Sequence, residues 1–136
     1  MTVIVCTEDR GGTLFLGRRL SRDRLLIADL TGTVGDGVIY ISNFSEDLFS
    51  ESDASVMCVS DPLSIAGEDD FVFIENLSLA EHIKDITRLI IYRWNRKYPF
   101  DTRLDVDPAE HGFSLISSTD FKGKSHEKIT KEVYER

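Results

Sequence analysis

Cysteine, proline and tryptophan are scarce in this chain of 136 residues, which has two, three and one of them. Cys6 and Cys58 are too few and too unpatterned for a disulfide framework. Each sits inside an apolar run, so both are expected as buried free thiols. No apolar run exceeds four residues, as in Leu89–Tyr92, far short of the ~20 needed to cross a bilayer. Met1 opens directly into Thr2–Cys6 without a basic and apolar leader. The expectation is a soluble cytoplasmic protein, with no membrane partner. Its length suits one domain over residues 1–136, large enough to fold without staples.

Short motifs are missing as well. The sequence has no GxGxxG, no GxxxxGK[ST] and no CxxC. His82, His111 and His126 are isolated, so no metal site is expected. Ser125-His126 reads as loop hydrogen bonding, because adjacent side chains do not face each other as nucleophile and base.

Positive charge is absent from a long internal stretch. Residues 1–24 carry five Arg and three acids, residues 25–83 carry no Lys or Arg and twelve acids, and the remainder carries eleven basic and nine acidic residues. A segment without cations is a poor phosphate site and a poor nucleic-acid surface. Nucleic acid is therefore disfavoured, although Arg18, Arg19, Arg22 and Arg24 could gather into one patch. Glu68, Asp69 and Asp70 within the stretch are either a solvated face or a surface for a basic protein partner.

Periodicity alternates between strands and short helices. Strand-like runs are Thr2–Cys6, Val38–Ile41, Val56–Val59, Phe71–Ile74 and Arg88–Trp94. Ser21 is placed to N-cap a helix running to about Leu30, with Gly32 ending it. Short helices are expected from Ser45, after Asp61-Pro62 and from the Ser78–Glu81 capping box. Asn95–Glu110 reads as a polar connection, and Gly112–Ser118 and Lys128–Glu135 as a terminal antiparallel hairpin. The fold class is α/β, a mixed central sheet flanked by short helices on both faces. Tyr92 and Trp94 share a face and read as core or pocket wall.

The segments Thr87–Trp94, Phe100–Asp107, Gly112–Ser118, Ser125–Glu127 and Glu132–Arg136 together resemble the end of dihydrofolate reductase, with Asp101-Thr102 matching the Asp-Thr of a family loop. The N-terminal half is similar in outline. Val3–Asp9 and Gly11–Leu14 resemble the first strand and mobile loop, Leu20–Gly32 the first helix, and Val38–Ser45 the second strand and turn. The chain is shorter than a typical member, and it is short in the middle.

Departures from the family fall on the chemistry that the resemblance implies. Ser42-Asn43-Phe44-Ser45 lacks the phosphate-binding Arg expected there, and Ile74-Glu75-Asn76 replaces a Gly-Gly pair, setting a carboxylate where phosphate would lie. Ser21-Arg22 stands for a Pro-Trp. Ile27 stands at the substrate-binding carboxylate, and Tyr92 at its supporting Thr. No nicotinamide cofactor, nor any other, is therefore expected. The resemblance implies a domain that keeps the sheet and has lost the reductase. Its expected role is non-catalytic binding of a protein through the acidic face or of a small molecule in the residual cleft. The alternative is a small-molecule enzyme using Asp29 or Asp23 as acid, with Tyr92 as neighbour.

Overall fold

A computed structural model describes residues 1–136. The central sheet grows outward from β1 (Thr2–Thr7), which pairs in parallel with both β6 (Phe71–Phe73) and β7 (Arg88–Arg93). Successive side chains on a strand point to opposite faces, and here both faces are covered. Val3 and Val5 of β1 and Leu89 and Ile91 of β7 enter one core, while Ile4, Ile90 and Tyr92 enter the other. This two-sided burial explains why the central strands are continuous apolar runs.

On one side of β6 lie β4 (Val38–Ile41) and the edge strand β5 (Ser55–Cys58), all parallel. On the far side of β7 lies β10 (Ile129–Glu135), antiparallel to β7 and to the edge strand β9 (Ser114–Phe121). The order is β5-β4-β6-β1-β7-β10-β9. The mixed sheet, its short helices and the terminal hairpin agree with the fold class read from periodicity.

The helix α1 (Arg24–Val34) buries Leu26, Leu30 and Val34 against one face of the sheet. Its start and end both differ from expectation. Asp23, not Ser21, is the N-cap, accepting from the backbone N–H groups of Leu25 and Leu26. The helix also runs through Gly32 to end at Gly35, whose φ of 59° suits glycine. A glycine inside a helix weakens it by about 1 kcal/mol without ending it, and here the packing of Leu30 and Val34 on either side carries the helix through.

Other short helices are weaker than their sequence signals. The Ser45 segment is a 3₁₀ helix over Asn43–Phe49, and α2 (Pro62–Ile65) is one turn without a side-chain cap from Asp61. Residues Ala80–Asp85 are also 3₁₀. The capping box does not form there, because Asp105 reaches across to accept from Ser78 Oγ and from the N–H groups of Leu79 and Ala80.

The connection Asn95–Glu110 is not featureless. It contains β8 (Thr102–Arg103) and the start of a 3₁₀ turn at Pro108–His111. With β2 (Gly12–Phe15) and β3 (Arg18–Arg19), β8 forms a second, three-stranded sheet in the order β3-β2-β8. Cys58 is a further correction, since it lies exposed on the edge strand rather than in the core. Both thiols are free. No helix is long and apolar enough to cross a membrane.

Candidate functional site

In open α/β sheets, ligands bind beyond the carboxyl ends of the parallel strands, where the order of strands reverses. Here that region is built by the segments leaving the ends of β1, β4 and β6, together with the start of α1. The turn after β1 is organised by Glu8, whose fully buried carboxylate accepts from the N–H groups of Arg10 and Gly12 at 2.6 and 2.9 Å and from Arg10 Nε at 3.1 Å. Burial opposes ionisation of Glu8, but these hydrogen bonds prevail and lower its pKa. The β2–β3 hairpin turns at Leu16-Gly17, both at positive φ, and returns the chain so that Arg19 reaches the strand ends.

Arg19 supplies the charge that the cation-free stretch lacks. Its guanidinium meets Glu75, just past β6, at 2.7 and 3.0 Å. It also meets Asp47, beyond β4, at 2.8 and 2.9 Å, and the Phe44 carbonyl at 3.2 Å. Ser45 Oγ donates to Glu75 at 2.7 Å. Hydrogen bonds from Arg19, opposed by a lesser burial cost, keep the Asp47 carboxyl below its ordinary range. Burial first, then the Glu75 charge, pushes the adjacent Cys6 thiol strongly up, with Arg19 opposing. A shift in that direction disfavours the thiolate that thiol chemistry needs.

Beside this network lies a polar cluster that joins distant parts of the chain. Residues Ser21 and Asp23 lie two apart on the segment leading into α1, and Asp23 is extended (φ −152°, ψ 124°). On an extended backbone, side chains two apart face the same way. Both meet His126 from the β9–β10 loop. Asp23 Oδ2 lies 2.8 Å from His126 Nδ1, and Ser21 Oγ lies 2.8 Å from His126 Nε2. A carboxylate only accepts, so Nδ1 donates to Asp23, and in the neutral ring Nε2 is then the nitrogen that accepts from the Ser21 hydroxyl. Trp94 stacks on the imidazole with centroids 4.6 Å apart. Tyr98 Oη stands 3.4 Å from Nε2 as a weaker neighbour.

Asp23 is fully buried and also accepts from the N–H groups of Lys124 and Ser125 at 2.9 and 3.0 Å. Burial would raise its pKa, but these two bonds, His126 and the helix N–H of Leu25 overwhelm burial and hold it well below the carboxylate range. The loop approaches so closely that a Cβ on Gly123 would stand 2.5 Å from Asp23 Oδ2. Here glycine is required by contact.

The cleft at this point is small. A cavity with about 20 Å³ of free space, bounded in part by Ser21, Asp23, Ile27, Phe73 and Trp94, has room for roughly one water. A groove of about 620 Å³ between α1 and the Asp47–Ala54 segment shares Arg22, Asp23, Ile27 and Leu48 with it. No group of three or more His, Cys, Asp or Glu side chains is placed to hold a metal ion.

The structure separates the residues picked out from the sequence. Asp23 is in the cluster. Asp29 and Tyr92 do meet, Tyr92 Oη donating to Asp29 Oδ2 at 2.6 Å with Lys131 Nζ 3.1 Å away. However, neither lines the cavity beside Ser21 or the groove beyond it. They tie α1 to β7 and β10. Burial and the Asp29 carboxylate raise the Tyr92 phenol far above its ordinary value. Glu68, Asp69 and Asp70 lie in the turn before β6, at the amino ends of the strands. Glu68 and Asp69 are exposed, and Asp70 accepts from the Gly67 N–H. Sequence reasoning misses Arg19, Ser21 and His126 as a group, since His126 is adjacent to Ser125 in the chain and 105 positions from Ser21. The only local signal is Ser-x-Asp before a helix, which reads equally as a cap.

No family model matches this sequence, and no curated protein matches it. Among solved structures, a dihydrofolate reductase from Enterococcus faecalis, determined with NADP(H) and RAB-propyl, aligns at a TM-score of 0.69 and 12% identity. The match covers 99% of this chain and 95% of that one. The chain therefore has the dihydrofolate reductase fold, as the sequence resemblance implies.

Proposed function

We propose that this dihydrofolate reductase fold serves a small-molecule-binding protein that takes no pyridine dinucleotide. The ligand would sit in the groove between α1 and Asp47–Ala54. The observation that carries this reading is Arg19 clamped between Glu75 and Asp47. These groups span the carboxyl ends of β4 and β6, where the family resemblance puts cofactor phosphates. A pyrophosphate there would have to draw Arg19 away from two carboxylates. Each charge-assisted bond lost costs ~1.5–3 kcal/mol, and the uncovered carboxylates would repel the incoming anion. The groove lies within the size range of small-ligand sites and combines apolar Ile27 and Leu48 with charged Arg22 and Asp47. The acidic turn offers less support for a protein partner, because Asp70 is engaged within its own loop.

The reading is tested by thermal shift and by amide NMR. NADPH should leave the melting temperature unchanged, whereas binding at 100 times Kd would add ~2.7 kcal/mol. A set of small polar esters, amides and amines should perturb the amides of Ile27, Thr31 and Leu48. Stabilisation by NADPH, or groove amides that respond to none of these probes, overturns the proposal.

A further inference from the structure

We propose that Ser21 is a nucleophile, with His126 its general base and Asp23 the residue that positions His126, and that the site hydrolyses short-chain carboxylic esters. This inference rests on the reading of the groove as a small-molecule site. The three groups form an unbroken relay. Ser21 Oγ to Nε2 is 2.8 Å, and Nδ1 to Asp23 Oδ2 is 2.8 Å. Those distances are within reach for proton transfer between nucleophile and base and for orientation of the base by a third group. Asp23 fixes the required tautomer, Trp94 restrains the ring by stacking, and His126 is 4% exposed. Asp23 has a structural role as cap and loop anchor. That role explains the bonds to Leu25, Lys124 and Ser125, but neither cap nor anchor requires Ser21 on the far nitrogen of the ring.

Two more observations belong to the same place. The backbone N–H groups of Ser21, Arg22 and Asp23 make no hydrogen bond within the chain. They are therefore uncommitted, and those that face the acyl group could donate to its oxyanion. The cavity against Ser21 holds about one water-sized group, which suits the methyl of an acetyl ester. The larger groove, sharing Asp23 and Arg22 with it, would take the alcohol portion.

The chemistry balances without a cofactor. Ser21 Oγ bonds to the ester carbonyl carbon as its proton passes to Nε2. The carbon–oxygen bond to the alcohol then breaks, and the alcohol leaves with that proton. Water next attacks the acyl-serine, giving a proton to Nε2, and Ser21 departs by taking it back. The sum is ester plus water to acid plus alcohol.

The test uses p-nitrophenyl acetate with the full chain. Wild type should show a burst and an acetyl adduct on the Ser21 peptide by mass spectrometry. S21A, which removes one half-buried hydroxyl, should fold normally and lose the burst. H126Q should slow turnover by ~100-fold or more, the scale of a lost general base. The downfield imidazole N–H proton signal of His126 should be present in wild type and absent in D23N, which tests orientation apart from stability. Turnover in S21A equal to wild type, no turnover in wild type, or acetylation confined to lysines overturns the proposal. If groove amides still respond to the probe set in that event, the binding reading stands and catalysis alone fails. Acetylation of Ser21 with silent groove amides supports the relay and removes the groove.

Discussion

Changing Asp23 to alanine removes one carboxylate that serves two distant pieces of chain at once. On the helix side, the N–H groups of Leu25 and Leu26 lose their cap, worth ~1 kcal/mol. On the loop side, Lys124 N–H, Ser125 N–H and the His126 Nδ1–H lose a buried acceptor, and each stranded donor costs ~1–3 kcal/mol before relaxation. Some loop donors will find water, so the expected total is ~3–5 kcal/mol, in line with removing one member of a buried charged pair. For a chain of this size that is a fall of roughly 10–20 °C in Tm. Urea unfolding followed by circular dichroism gives the free energy directly.

The same carboxylate sets a pH signature. Its folded pKa lies below the unfolded value, so the unfolded state binds the proton first as the solution is acidified. Its stabilisation is fully present above about pH 4 and fades as pH falls toward the folded pKa. Glu8, Asp47 and Asp105 are shifted the same way, so both proteins weaken in acid. The gap between wild type and D23A isolates Asp23, and it should narrow below pH 4. A loss under ~1 kcal/mol at neutral pH, or a gap that stays constant into acid, would refute the reasoning.

The change Gly123→Ala pushes a methyl against the anchored Asp23 carboxylate and against Ile129 Cδ1 at 2.8 Å. It should cost ~1–3 kcal/mol in urea unfolding and reduce ester turnover by displacing His126. By contrast, Tyr92→Phe loses only the bond to Asp29, which keeps Lys131 and contact with water. The expected cost is ~0.5–1.5 kcal/mol by the same measurement, with ester turnover unchanged. Titration with an aromatic disulfide reagent should modify the exposed Cys58 first in the folded protein, with the half-buried Cys6 reacting more slowly and fully only on unfolding.

The sheet was legible because its central strands are buried on both faces, so Val3–Val5 and Leu89–Tyr92 carry unbroken apolar runs. The small second sheet was not, because β3 and β8 are two residues each, too short for any periodic signal. Helix α1 shows how tertiary context moves a boundary. Ser21 has the chemistry of a cap, but its hydroxyl is taken by His126, and Asp23 takes the role. The absence of Lys and Arg over residues 25–83 could be read from the sequence, whereas the arrival of Arg19 between Glu75 and Asp47 could not. Arg19 and Glu75 are separated by 56 positions, and Asp23 and His126 by 103. Nothing local encodes such encounters; they follow from the strand order.

Trp94 is the sole tryptophan, and it stacks on His126 at an interplanar angle of 30°. Its emission is therefore a built-in optical gauge of whether the hairpin loop has docked. An imidazole at van der Waals distance alters indole fluorescence according to its charge and position, so the native chain needs no label. Stopped-flow mixing could follow loop arrival separately from collapse of the sheet, and the same signal would register any molecule that pries the ring away.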